Sequence, residues 1–139
     1  FGTTALKPTG MLAMRGHRYP ITQIGIKNLT RRLILIAKSD MKFAECKVRI
    51  IEDTKVGDRA CRCFRVEHPV PRKHFRFHIA NVYVDKELNV PIRYQAFDWL
   101  KRAGEKPLLT EQYSYRNLKL NVGLTDADFD HTNPKYKFI

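Results

Sequence analysis

The sequence predicts an α+β fold in which one long amphipathic helix packs on one side of an antiparallel sheet. Apolar residues recur at three- and four-residue steps from position 21 to 42, the period of a helix face. From Cys46 onward the period drops to two, and short turn-rich segments separate the runs. A helix first and strands afterwards, with no helices between the strands, argues against a doubly wound sheet. The 139 residues suffice for one domain with a sizeable core.

Before the helix, Gly2, Pro8, Gly10, Gly16 and Pro20 punctuate an irregular start, with short extended pieces expected around 4–7 and 11–14. Pro20 suits a first helical turn, where its missing N–H removes no bond. The stripe is then Ile21, Ile24, Leu29, Leu33, Ile36 and Ala37, while Lys27, Arg31, Arg32 and Lys38 mostly fall elsewhere. Gly25 weakens the first turns of this helix.

The strands follow in order. In 46–52, Val48 and Ile50 face one way and Lys47 and Arg49 the other. Residues 53–58 read as a hairpin turn, with Gly57 free to take a positive φ. In 59–67, Ala60, Phe64 and Val66 share one face, interrupted by Arg62, and Cys61, Cys63 and Arg65 share the opposite one. Pro69 and Pro71 then break the ladder. A third strand is expected from 74 to 84, with Phe75, Phe77 and Ile79 alternating with His74, Arg76 and His78. Its apolar phase changes after Ala80, which calls for either a bulge there or a strand covered on both faces. After a turn at 85–89, the strand 90–98 places Ile92, Tyr94 and Ala96 together. A loop at 101–107 leads to a fifth strand over 108–120, long enough to require a bend. Thr125 to Asp128 has the spacing of a capping box for one helical turn.

Charge is the main compositional oddity. The net charge is +12, and residues 1–80 hold 17 Lys/Arg against 6 Asp/Glu, whereas residues 81–139 hold 9 against 8. Such asymmetry points to a basic face that meets phosphate, lipid headgroups or an acidic protein, with a solvated surface as the alternative. No run of eighteen apolar residues occurs, so no spanning helix is expected. The chain begins at Phe1 rather than Met, which fits a processed product or a fragment. Its three cysteines do not make a disulfide framework; one bridge between Cys46 and either Cys61 or Cys63 is compatible with an oxidising compartment.

Motifs for chemistry are weak. Asp126, Asp128 and Asp130 imitate the start of a calcium loop, but His131 stands where the turn glycine belongs and Lys137 where the bidentate Glu belongs. Cys61-Arg62-Cys63 lacks the gap of a zinc knuckle, although His68, His74 and His78 lie nearby in sequence and His74 and His78 would share a strand face. The only serines, Ser39 and Ser114, sit in no nucleophile elbow, and no glycine-rich phosphate loop occurs. A Cys–His pair rests on residue type alone. Basic and aromatic residues interleave at 72–77, as in stacking nucleic-acid binders, but Phe75 and Phe77 face away from Arg76. No catalytic residue, metal or cofactor is therefore expected, and nucleic acid ranks last among partners.

Several stretches resemble a bacterial envelope family, domain of unknown function 1571. They are Val90-Pro91-Ile92-Arg93-Tyr94 with Phe97-Asp98-Trp99, Tyr113-Ser114-Tyr115-Arg116-Asn117-Leu118-Lys119, and Asn133-Pro134. Gly16-His17-Arg18-Tyr19-Pro20-Ile21-Thr22 and Val66-Glu67-His68-Pro69 add to it. The most specific piece is Leu120-Asn121-Val122-Gly123-Leu124-Thr125-Asp126-Ala127-Asp128-Phe129-Asp130. The resemblance implies a fold similar to the outer-membrane lipoprotein carriers: a half-open antiparallel β-barrel with helix on its concave side. It implies a single domain over 1–139 that lacks the family's N-terminal helix and strands. It also implies a periplasmic or outer-membrane-associated location.

On that fold, an apolar core or cavity is expected from Ile24, Leu29, Leu33 and Ile36 of the helix with Val48, Ile50, Phe64, Val66, Phe75, Phe77, Ile92, Tyr94, Tyr113 and Tyr115. Lys27, Arg31, Arg32, Lys38, Lys47, Arg49, Arg72, Lys73 and Arg76 are the expected basic face. The expected function is non-enzymatic binding of a lipid, acyl chain or lipoprotein-like apolar ligand, with an anionic membrane surface nearby. The alternative is an accessory subunit docking through the basic face on a larger envelope complex.

Overall fold

The computed structural model describes residues 5–102 and 104–136. The chain divides into two compact units, one over Gly25–Arg116 and one built from both chain ends. The expected piece at 4–7 begins outside the described residues, and 5–7 carry no regular structure.

The first unit holds helix α1 (Ile26–Asp40) and five strands: β1 (Lys47–Val56), β2 (Arg59–Glu67), β3 (Ile79–Asp85), β4 (Pro91–Phe97) and β5 (Leu109–Ser114). The strands form one antiparallel sheet in chain order, a meander that matches the α+β expectation. The helix starts later than its apolar period suggested. Gly25 sits at φ 106°, outside the helical region, so Ile21–Gln23 forms only a 3₁₀ turn. Ile24, expected on the helix stripe, falls in this break and is exposed. Beyond Asp40 one 3₁₀ turn, Met41–Phe43, ends where Ala44 turns left-handed at φ 51°.

Leu29, Leu33 and Ile36 of α1 pack on a buried cluster of Phe77, Ala80, Tyr94 and Ala96, with Val66 and Val82 beside them. Val66, Ala80, Val82, Tyr94 and Ala96 share one sheet face, because directly opposed residues in an antiparallel ladder point the same way. The pairs Val66↔Ala80, Phe64↔Val82, Ala80↔Ala96 and Val82↔Tyr94 define that face.

Three strand expectations need correction. First, β1 does not turn at residue 53. A bulge between Ile51 and Thr54 absorbs an extra residue and carries the strand to Val56, leaving a hairpin loop of Gly57, at φ 60°, and Asp58. Second, β3 begins at Ile79 rather than His74. The His68 N–H donates to His78 O at 2.8 Å, which continues the β2–β3 ladder one step past Glu67↔Ile79. Pro69 and Pro71 have no N–H to extend it further, so Phe75 and Phe77 lie outside the ladder although both are buried. Third, β5 stops at Ser114, prolonged only by the Tyr115 N–H donating to Ile92 O at 2.8 Å. Of the two alternatives at Ala80, the bulge is absent there, since the register shift falls at Tyr83/Val84; Ile79, Ala80 and Asn81 are buried in succession and Val82 to Val84 are half-buried.

The β3–β4 turn hangs on Asp85. Its buried carboxylate accepts the backbone N–H groups of Glu87 at 2.9 Å and Leu88 at 2.8 Å, and it pairs with the Arg59 guanidinium. Arg59 and these amides hold the Asp85 carboxyl well below the usual carboxylate range.

The second unit, residues 5–24 and 117–136, contains only short helical turns among the described residues. Met11–Met14, expected extended, forms one α-helical turn. The capping box at Thr125 is present: the Thr125 N–H donates to the Asp128 carboxylate at 2.7 Å, and the hydroxyl bonds it at 3.0 Å.

Two outcomes follow. Leu33→Ala should cost about 2 kcal/mol in denaturant unfolding, the lower end for a partly buried leucine. A carboxylate depressed on folding stabilises fully above its unfolded pKa and loses that contribution as pH falls through its folded value. Stability should therefore fall below about pH 4 in the wild type and follow a flatter curve in Asp85→Asn, as read by unfolding at stepped pH.

Candidate functional site

The sheet separates two chemistries. The face under α1 is apolar, and β1 extends it with Val48, opposite Val66, and Ile50, opposite Phe64. Yet Val48 is 59% and Ile50 55% exposed, so the helix covers the centre of the apolar face and leaves its β1 margin open. At the other edge Tyr113 stands opposite Tyr94, with ring centroids 6.4 Å apart, and is itself partly open. Of the remaining expected lining residues, Phe75, Phe77, Ile92 and Tyr94 are buried, while Leu29, Leu33, Ile36, Phe64, Val66 and Tyr115 are half-buried.

The opposite face is a polar ladder. Arg65 donates to Asn81 at 3.5 Å, Tyr83 to Gln95 at 3.3 Å, Gln95 to Gln112 at 2.7 Å and Arg93 to Ser114 at 3.0 Å. Cys61 and Cys63 are buried on this side, and burial pushes both thiols up, which keeps them protonated and poorly nucleophilic. All three cysteines are free thiols, so neither of the two disulfides left open by the sequence is formed.

The residues expected to make one basic face are distributed over several elements. Lys47 and Arg49 lie on the polar side, opposite Glu67 and Arg65. Lys27, Arg31 and Lys38 are exposed on α1, which packs on the other side, and Arg32 is half-buried there. Arg72, Lys73 and Arg76 are exposed in the β2–β3 connection, where Arg72 donates to Glu45 at 2.9 Å.

Sequence reasoning missed a buried pair at the end of the helix. His68 is fully buried, its Nδ1 is 2.9 Å from Phe77 O, and its Nε2 is 3.3 Å from the Asp40 carboxylate. Its ring stacks on Phe75 at 3.9 Å between centroids and touches Phe77 at 4.8 Å. A carbonyl accepts only, so Nδ1 carries a proton, a tautomer assigned from its partner. Nε2 approaches the carboxylate without meeting hydrogen-bond geometry, so it is a buried ring nitrogen that lacks a hydrogen-bond partner among the described residues. Burial raises the Asp40 carboxyl above 3.8, opposed by the charges of His68, Arg76 and His74. The His68 carbonyl accepts from Trp99 Nε1 at 3.0 Å and is 2.9 Å from His78 Nδ1. The pair thus locks the helix end to the sheet. A signal existed: Asp40 occupies the next step of the 29–33–36 stripe, where an apolar residue belongs.

The weak metal readings gain nothing. His74 and His78 do not share a strand, and His74 stacks on Phe43 at 3.8 Å. No group of three or more metal-ligating side chains occurs among the described residues.

A family model described as protein of unknown function (DUF1571) matches residues 1–138. The chain belongs to this family. No curated protein and no solved structure matches it. Of the family-like stretches, Val66–Glu67–His68–Pro69 of this DUF1571 member contains the buried imidazole, and Pro91–Phe97 supplies the core strand β4.

His68→Ala and Asp40→Ala should each destabilise the protein by about 3 kcal/mol, since each leaves a buried group unpaired. The double variant should lose distinctly less than the sum, measured as a double-mutant cycle in denaturant.

Proposed function

We propose that this protein is a non-enzymatic envelope binding domain of lipoprotein-carrier type, which holds a lipid or acyl chain on the uncovered margin of its apolar sheet face. The observation that supports this reading is the exposure of Val48 and Ile50 on the very face whose centre forms the core. Covering such half-exposed branched side chains contributes about 1 kcal/mol each. Ile34 and Leu35 of α1 add exposed apolar surface on the flank of the helix. Lys27, Arg31 and Lys38, exposed on the same helix, supply charge for anionic headgroups. The half-open barrel and the periplasmic or outer-membrane location belong to this proposal and rest on the family resemblance. No helix among the described residues is long and apolar enough to cross a membrane.

The test uses two adjacent residues. Ile50 and Ile51 are both exposed but point to opposite sheet faces, Ile50 opposite Phe64 and Ile51 opposite Cys63. The wild type should enhance the fluorescence of an apolar dye and carry lipid detectable by extraction and mass spectrometry. Ile50→Glu should abolish dye binding and Ile51→Glu should keep it, with circular dichroism unchanged in both. Equal loss in the two variants, or no binding by the wild type, refutes the reading.

A further inference from the structure

We propose that residues 47–51 of β1 form a docking edge for an extended segment of a partner protein in which acidic side chains alternate with apolar ones. This inference shares Val48 and Ile50 with the apolar-ligand reading but goes beyond it, because it also rests on the strand's backbone edge and on the charges of Lys47 and Arg49.

β1 is the first strand of the sheet and the longer of its two edges, ten residues against six for β5. An edge strand presents backbone donors and acceptors that another strand can pair, and folded proteins blunt such edges with bulges, proline and charge. On β1 the bulge and the acidic residues lie beyond residue 51, and within 47–51 only the positive charges of Lys47 and Arg49 guard the edge, which selects against basic partners. The bulge follows Ile51, and Glu52 and Asp53 are engaged by Arg62 at 2.9 Å and Lys86 at 3.3 Å. Residues 47–51 run in unbroken register with Glu67 back to Cys63 and contain no proline.

Side-chain alternation then specifies the partner. Lys47 and Arg49 lie on the polar face, and Arg49 stands directly opposite Arg65, a cross-strand placement of like charges that is unfavourable in general. A carboxylate on an added strand beside Arg49 supplies the opposite charge that Arg49 lacks across the β1–β2 pair. On the other face Val48 and Ile50 offer apolar surface to alternate residues of the same strand. A second copy paired antiparallel about Arg49 sets Arg49 against its own equivalent, so an acidic segment is the better occupant of 47–51. The arrangement is strand addition, in which the main chain supplies affinity and alternate side chains supply selection.

The experiment titrates the full chain with two synthetic decapeptides, one alternating Glu and Val and one alternating Lys and Val. Amide exchange is followed by NMR, with sedimentation in parallel. The Glu–Val peptide should increase protection of amides within 47–51, and the Lys–Val peptide should not. Arg49→Glu should weaken the Glu–Val peptide at least tenfold and let the Lys–Val peptide bind, a charge swap that mere unfolding cannot produce. Protection confined to other elements, binding indifferent to the swap, or a peptide-free dimer protected at β1 overturns the proposal. Retention of dye binding in Arg49→Glu keeps this outcome separable from the fate of the apolar-ligand reading.

Discussion

Where α1 ends on the sheet, the Asp40 carboxylate stands 3.3 Å from the imidazole of His68, which has no access to water. The position of the helix depends on this contact as well as on Leu29, Leu33 and Ile36. Three apolar contacts fix a stripe against a sheet but tolerate sliding along it, because dispersion and burial have little directionality. Asp40 and His68 add a buried polar contact of 3.3 Å at the end of that stripe. Removing either partner leaves the other buried alone, which is far costlier than never having had the pair. The surrounding aromatic layer of Phe75 and Phe77 then packs around a fixed imidazole.

That anchoring shapes the exposed surface. With the helix end held at His68, which directly follows the last residue of β2, the stripe covers the middle strands. The β1 margin is left without cover, so Val48 and Ile50 remain apolar, branched and open. The other sheet face is closed by different means, through a ladder of amides, hydroxyls and guanidinium groups linking neighbouring strands. One sheet therefore carries an apolar side that is partly open and a polar side whose groups largely satisfy one another.

Much of this was legible in the sequence. The alternation in β2 assigned Phe64 and Val66 to one side and Cys61, Cys63 and Arg65 to the other, as found. The capping box at Thr125 was readable because its bonds are local. The failures share a cause, which is that period alone does not reveal where backbone partners run out. Phe75 and Phe77 alternate like strand residues, yet the prolines opposite deny them a ladder. Ile21 and Ile24 continue the helix period, yet Gly25 leaves the helical region. The open margin of the apolar face was only half readable, since exposure of Val48 depends on how far a helix reaches across the sheet. Asp40 was passed over because a single carboxylate in an amphipathic stripe is indistinguishable from a surface residue until its partner, 28 positions later, is placed beside it.

The bulge after Ile51 also bears on what happens when the chain is not fully folded. The segment Val48-Arg49-Ile50-Ile51 is rich in β-branched residues and offers apolar side chains to both sides of a strand. Fibrillar stacking needs a flat, regular run of roughly six or seven such residues. The bulge stops the regular run at five, residues 47–51, and is followed at once by Glu52 and Asp53. One inserted residue and two carboxylates thus act as a gatekeeper at the end of an edge run already spaced by Lys47 and Arg49, and a deletion that removed the bulge would lengthen the regular run.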